Sequence, residues 1–324
     1  MANEIYPVSW WGSPVEIGWG SIYYDFAQGG GDTTSFITTW RTTTTNETIT
    51  IPTTGGGYNY DISTSDGQTF TGVTGSQAIT FATAGDYDVS ISGAFPRINF
   101  NDSGDKDKII DIKQWGNIVW SSFLNAFYGC SNLIGTYTDA PDLSGVTSLS
   151  NAWRVCSVFT GKVANWDVSN IETMSGVFRS ASLFNSDLTG WDVSNVTRLN
   201  SCFQGSASFN QPIGVWDVGN VTNFQLTFAT SNFNQDLSNW NIVKGVSFSN
   251  FKSSGIDLST ANYDAILIGW EATLQAAFPN GSGYTPSIGI DFGSAEYTGG
   301  GAAEAARTSL INNFNWTITD GGIA

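Results

Sequence analysis

Three carboxylates, Asp167, Asp192 and Asp217, recur one repeat apart in the words WDVSN, WDVSN and WDVGN. Paired acids are what a glycosidase is built from, but it needs two carboxyls about 5–9.5 Å apart in unlike environments. Acids in identical settings suit a structural task better, bonding the backbone at a repeated corner. The three cysteines, Cys130, Cys156 and Cys202, are 26 and 46 residues apart, which matches no zinc or iron–sulfur motif. An odd number closes no disulfide framework, so they read as small apolar core residues. Asp102, Asp105, Asp107 and Asp111 would suit calcium, which takes several oxygen ligands. Lys106, Lys108 and Lys113 are interleaved with them and favour a solvated linker instead. The chain has no histidine, which excludes Ser-His-Asp triads, Cys-His pairs and His-ligated zinc. The triple glycines at 29–31 and 299–301 lack the Lys-Ser/Thr of a phosphate loop. No catalytic residue, metal or cofactor is therefore assigned, and the expectation is a protein that is not an enzyme.

Composition narrows the remaining classes. The 324 residues carry 28 acidic and 12 basic side chains, a formal charge of −16. Nucleic-acid binding, which displaces phosphate counterions with basic residues, is disfavoured. So is a polybasic membrane surface. No run approaches 18 apolar residues, so no membrane insertion is expected. The first basic residue is Arg41 and no apolar run precedes it, so general secretory export is not expected.

Four regions follow from texture. Residues 1–35 hold an aromatic arm (Trp10, Trp11, Trp19, Tyr23 and Tyr24 among its rings) and a glycine joint. Residues 36–100 alternate apolar and polar positions in short runs at Phe36–Trp40, Glu47–Ile51, Tyr58–Ile62, Ala78–Phe81 and Tyr87–Ile91. Turn words separate these runs, as in a small β-sandwich. Residues 101–255 repeat: Trp166, Trp191, Trp216 and Trp240 are 25, 25 and 24 apart. Phe127, Trp153, Phe178, Phe203, Phe228 and Phe251 are spaced 26, 25, 25, 25 and 23. Two aromatic ladders in step are the signature of a solenoid. Within a unit, Val196, Leu199, Cys202 and Phe203 fall at i, i+3, i+6 and i+7, which predicts a short helical turn after each extended segment. Residues 256–324 predict a helix over Tyr263–Phe278 capped by Ser259 or Thr260, a strand at Ser287–Phe292, a helix at Ala302–Phe314 and a strand at Trp316–Thr319. The expected fold is thus mainly β with short helices: aromatic arm, β-sandwich, leucine-rich-repeat-type solenoid and an α/β cap over its open end.

The repeat words resemble BspA-type leucine-rich repeats. NAFYGCSNL at 125–133, the WDVSNIE and WDVSNVT cores and FNQDLSNW at 233–240 carry the likeness over roughly 105–255. Residues 57–94, with SDGQTFTGVTG and FATAGDYDVSISG, resemble PKD-like immunoglobulin modules, although Thr64-Ser65-Asp66-Gly67 stands where that family has W-G-D-G. The tail with AARTSL and NWTITDGG is similar to the carboxy-terminal caps of such proteins. The opening MANEIYPVSWWGSPVEIGWG resembles the start of phage virion proteins. These likenesses imply adhesion or display.

The positions just after the aromatic ladder vary while their neighbours repeat: Arg154, Arg179, Gln204 and Lys252. A solenoid sets such positions in a row, so they are the expected ligand face. The first reading is a phage virion structural protein, a capsid- or tail-attached fibre or decoration. Its arm, through Trp10, Trp11, Trp19, Tyr23 and Tyr24, would dock onto other virion proteins. The row would meet a host surface protein or glycan, with homo-oligomerisation an option. The alternative is a bacterial cell-surface adhesin of the BspA-like class, and the third reading is a polysaccharide depolymerase.

Overall fold

Alternating burial builds the first layers. In β1 (Phe36–Thr42), β2 (Glu47–Ile51), β3 (Asn59–Thr64), β4 (Thr69–Val73), β5 (Gln77–Phe81), β6 (Gly85–Ala94) and β7 (Ile109–Gln114), the inward positions are aromatic or β-branched. Trp40, Ile62, Val89 and Ile91 of one sheet share a core with Ile49, Ile51, Ile79 and Phe81 of the β2–β5 ribbon. The larger sheet runs β4-β3-β6-β1-β7 and ends on β8 (Ile134–Gly135), with β7–β8 parallel and the other pairs antiparallel.

The computed structural model describes residues 32–324, and Thr33–Ala324 make one unit. The arm residues Trp10, Trp11, Trp19, Tyr23 and Tyr24 lie outside the described residues. The five expected strands all form, and β4 and β7 are additional. The sheet does not stop near residue 100. β7 lies beyond that boundary and pairs with β1, so the segment expected to be a solvated linker is turn over 101–108 and strand from Ile109. Asp111 within it is 8% exposed and accepts bonds from Thr136 N at 3.0 Å and Thr136 Oγ1 at 2.7 Å. The lysines take up neighbouring acids: Lys106 lies 3.3 Å from Asp102, and Lys108 lies 3.0 Å from Asp105.

Beyond β8 the chain stacks on itself every 23–26 residues. Parallel bridges link Ser148 to Thr173, Thr173 to Arg198, Arg198 to Asn223 and Asn223 to Ser247. An unbroken aromatic column runs Trp115, Phe127, Trp153, Phe178, Phe203, Phe228 and Phe251. Its ring centroids are successively 6.1, 5.8, 5.9, 6.0, 5.7 and 5.4 Å apart. A second column, Phe159, Phe184, Phe209 and Phe233, stacks at 6.1, 6.0 and 6.1 Å. Such ring pairs add about 0.5–1.5 kcal/mol each beyond the area they bury.

The helical turn expected in each unit does not form. In residues 151–156 the amides alternate. Asn151, Trp153 and Val155 donate to carbonyls of the next rung, at Ser175, Val177 and Arg179 (2.9, 2.9 and 2.7 Å). Ala152, Arg154 and Cys156 instead close turns onto Leu149, Asn151 and Trp153 (2.9, 3.3 and 3.2 Å). Asn151 and Val155 hold positive φ (54° and 62°), and Ser180, Ser201, Leu226 and Thr230 do so at matching places. Consecutive three-residue turns place side chains at i, i+3 and i+6 on one side, as a helix would, but free every second amide to bond across rungs. Each left-handed residue costs about 1–2 kcal/mol, which the cross-rung bonds and ring stacking offset.

Both ends of the stack are covered. At one end Phe100 N and Asp102 N donate to Ala126 O and Tyr128 O (3.0 and 2.8 Å). At the other, α1 (Thr260–Ala277), capped by Ser259, β9 (Ile288–Asp291), β10 (Glu296–Tyr297), α2 (Ala302–Phe314), β11 (Trp316–Thr319) and β12 (Gly322–Ile323) form the α/β end expected from the sequence. β9 continues the ladder: Phe248 bridges Ile290 and Lys252 N donates to Asp291 O at 2.8 Å.

Candidate functional site

Each rung places the residue after its column aromatic at the same corner. Gly129 N donates to Arg154 O, Val155 N to Arg179 O and Ser180 N to Gln204 O (2.9, 2.7 and 2.7 Å), so these side chains stand in file. The structure therefore brings Arg154, Arg179 and Gln204 together, all half-buried. Tyr128 heads the same file and was missed. Its signal was available, because it follows Phe127 as Arg154 follows Trp153. The Arg154 guanidinium sits over the Tyr128 ring, 4.5 Å from its centroid. Arg154 Nε and Gln204 Oε1 are buried without a hydrogen-bond partner. Burial, and then the neighbouring Arg154 charge, lower the Arg179 pKa.

Lys252 does not belong to the ligand face. It is 1% exposed, and its ammonium donates to the carbonyls of Ser231, Ser254 and Ile256 at 3.0, 3.2 and 2.6 Å. The repeat stops there, and the chain doubles back through Gly255 (φ 99°), where a Cβ would lie 2.1 Å from Ser231 O. The turn exposes carbonyls to the interior, and the lysine satisfies them. Ala229 is buried as well, so the row ends at Gln204.

The repeated acids bond their own corners. Asp167 Oδ1 accepts Ser169 Oγ at 2.6 Å and Ser169 N at 3.1 Å, Asp192 Oδ1 accepts Ser194 N at 3.0 Å, and Asp217 Oδ1 accepts Gly219 N at 3.0 Å. Bonds from Ser169 and Ser194 lower the pKa of Asp167 and Asp192, opposite to what a glycosidase's general acid requires. Beside them runs a groove of about 600 Å³, lined by Asn170, Glu172, Asn195, Thr197, Asn220 and Lys244 among others. Asn195 and Asn220 spend their amides on Ser169 O and Ser194 O of the preceding rung, at 2.8 and 2.7 Å. The thiols of Cys130, Cys156 and Cys202 are free and buried, which raises their pKa values. Among the described residues no group of three or more Cys, Asp or Glu side chains is placed to hold a metal ion, and no helix is long and apolar enough to cross a membrane.

Residues 147–259 match the family described as Mycoplasma protein of unknown function, DUF285. The match covers four of the stacked rungs and the start of the cap. No curated protein and no solved structure matches the chain.

Proposed function

We propose that this chain is a non-enzymatic adhesion protein of the BspA-like class, acting at a cell surface. In this reading a leucine-rich-repeat-type solenoid presents the file Tyr128, Arg154, Arg179 and Gln204 to a partner, and the immunoglobulin-like strands at its head serve as spacer. The observation that carries it is the contrast between core and corner. The columns keep an aromatic ring rung after rung, while from Tyr128 to Gln204 the residue after the first column changes and stays within reach of solvent. The repeat words and the match over 147–259 favour this reading over the virion one.

Two measurements test it. Labelled full-length protein should bind partner cells or their extracellular matrix, and a variant with Arg154, Arg179 and Gln204 all changed to Ala should bind markedly less. Fractionation of producing cells should find the chain in the envelope. Recovery with sedimenting phage particles, or release of reducing ends from capsular polysaccharide by the purified protein, would overturn the proposal.

A further inference from the structure

The file after the aromatic column concentrates unneutralised positive charge on an acidic molecule. Among the described residues Arg41, Lys106, Lys108, Lys113 and Arg307 each lie within 4 Å of a carboxylate. Arg154 and Arg179 have none, like Arg97, Lys162, Arg198, Lys244 and Lys252, but these two stand one after the other in the file. Backbone pairing sets them one rung apart, about 4.8 Å, both half-buried, and the Arg154 charge is near enough to lower the Arg179 pKa. Such a pair is unfavourable by itself and is relieved by an anion between the guanidiniums. The groups around it are already arranged. Tyr128 holds the Arg154 plane from below, and Arg154 Nε and Gln204 Oε1 offer a buried donor and acceptor with no partner of their own.

We infer that Arg154 and Arg179 clamp the carboxylate of an acidic sugar, a uronic or sialic acid residue of a surface glycan. A carboxylate accepts paired N–H groups from a guanidinium in one plane, the geometry arginine is shaped for. The flanks suit a sugar. Ser180 and Gln204 are half-buried and Thr230 is exposed at the same corner, so hydroxyl groups find polar partners there. An acidic peptide fits less well. An extended strand repeats on one face every 6.6–6.8 Å or so, out of step with rungs about 4.8 Å apart.

The inference rests on the adhesion reading for its setting, but its test does not. Full-length protein is measured by interferometry against polygalacturonate, polysialic acid, their carboxyl-reduced forms and polyglutamate. Binding to polygalacturonate or polysialic acid is expected, and which of the two binds identifies the sugar. It should weaken as salt is raised. Arg154→Gln or Arg179→Gln should lower affinity about tenfold or more, as befits a lost charge-assisted bond, without lowering the melting temperature. Arg179→Lys should restore part of it. Equal binding to the carboxyl-reduced polymers, preference for polyglutamate, or no change in the Gln variants would overturn the inference. Cell adhesion without binding to either acidic polymer defeats this inference and leaves the adhesion reading standing. Glycan binding without cell adhesion does the reverse.

Discussion

Replacing tryptophan by phenylalanine at two equivalent rungs should give unequal losses. Trp191 is 4% exposed, and its Nε1 donates to Val163 O at 2.8 Å, tying one rung to the one before. Trp216, Trp240 and Trp270 repeat the bond, to Leu188, Ile213 and Leu237 (2.9, 3.0 and 2.9 Å). Trp166 occupies the same place in its unit, but its Nε1 is buried without a partner. The preceding rung departs from the repeat around Tyr137, so no carbonyl is set to receive it. Both changes trim an indole to a phenyl ring, at similar cost in packing. Trp191→Phe additionally loses a net bond of about 0.5–1.5 kcal/mol. It does not orphan Val163 O, which still accepts Trp166 N at 3.2 Å. Trp166→Phe instead removes an unsatisfied donor whose burial costs about 1–3 kcal/mol. The difference should therefore be roughly 3 kcal/mol in favour of Trp166→Phe. Urea unfolding followed by far-UV circular dichroism measures it, with the two variants compared at the same slope. A Trp166→Phe loss equal to or larger than that of Trp191→Phe would refute the reasoning. Trp191→Ala, which empties the site, should cost about 3–5 kcal/mol in the same assay.

Val155 is 37% exposed and β-branched at a φ of 62°, where Gly129 and Gly205 stand at the same place in other units. Val155→Gly should raise stability by up to about 1 kcal/mol, read as a higher urea midpoint. Burial pushes the Lys252 ammonium down to about 8 from its ordinary 10.5, opposed by Asp257. Between those values the unfolded chain holds a proton that the folded chain has released, so this group makes stability rise with pH across that window. Lys252→Met should remove that rise. It should also cost about 1–3 kcal/mol at pH 7, because three carbonyls lose their donor. Cys130, Cys156 and Cys202 should resist a thiol reagent until the protein unfolds, and chelator plus reductant should leave the melting temperature unchanged. Rapid labelling of the native protein would contradict their burial.

The parts legible from sequence are those where one side-chain property repeats. The column from Phe127 to Phe251, five of the strands and both cap helices are of this kind. The file of Arg154, Arg179 and Gln204 was legible by its phase beside that column, and the column from Phe159 to Phe233 was not anticipated. β4 escaped notice because its side chains lie at a sheet edge with little buried, so Thr69–Val73 shows no apolar alternation. The stacked turns escaped because a chain of three-residue turns and a helix space their inward residues alike. What separates them is a left-handed residue in every few, and Leu226, Val155 and Thr230 are not residues that announce one. Lys252 was misplaced because phase alone put it in the file. Only the doubled-back path through Gly255 turns that corner inward.

The turn segments have a consequence for length. Along the column segments the cross-rung amides point from each unit to the next, starting at Phe100 and Asp102 and ending where Lys252 N meets Asp291 O. Those of Glu172, Thr197, Thr222 and Val246 point back to the unit before. Every interior unit receives the same bonds it passes on. Its neighbours cannot tell how many units precede or follow. Adding or deleting one unit of 25 residues leaves both ends matched and moves the cap by about 4.8 Å. The number of units is thus a ruler, and reach can change in fixed steps with neither terminus redesigned.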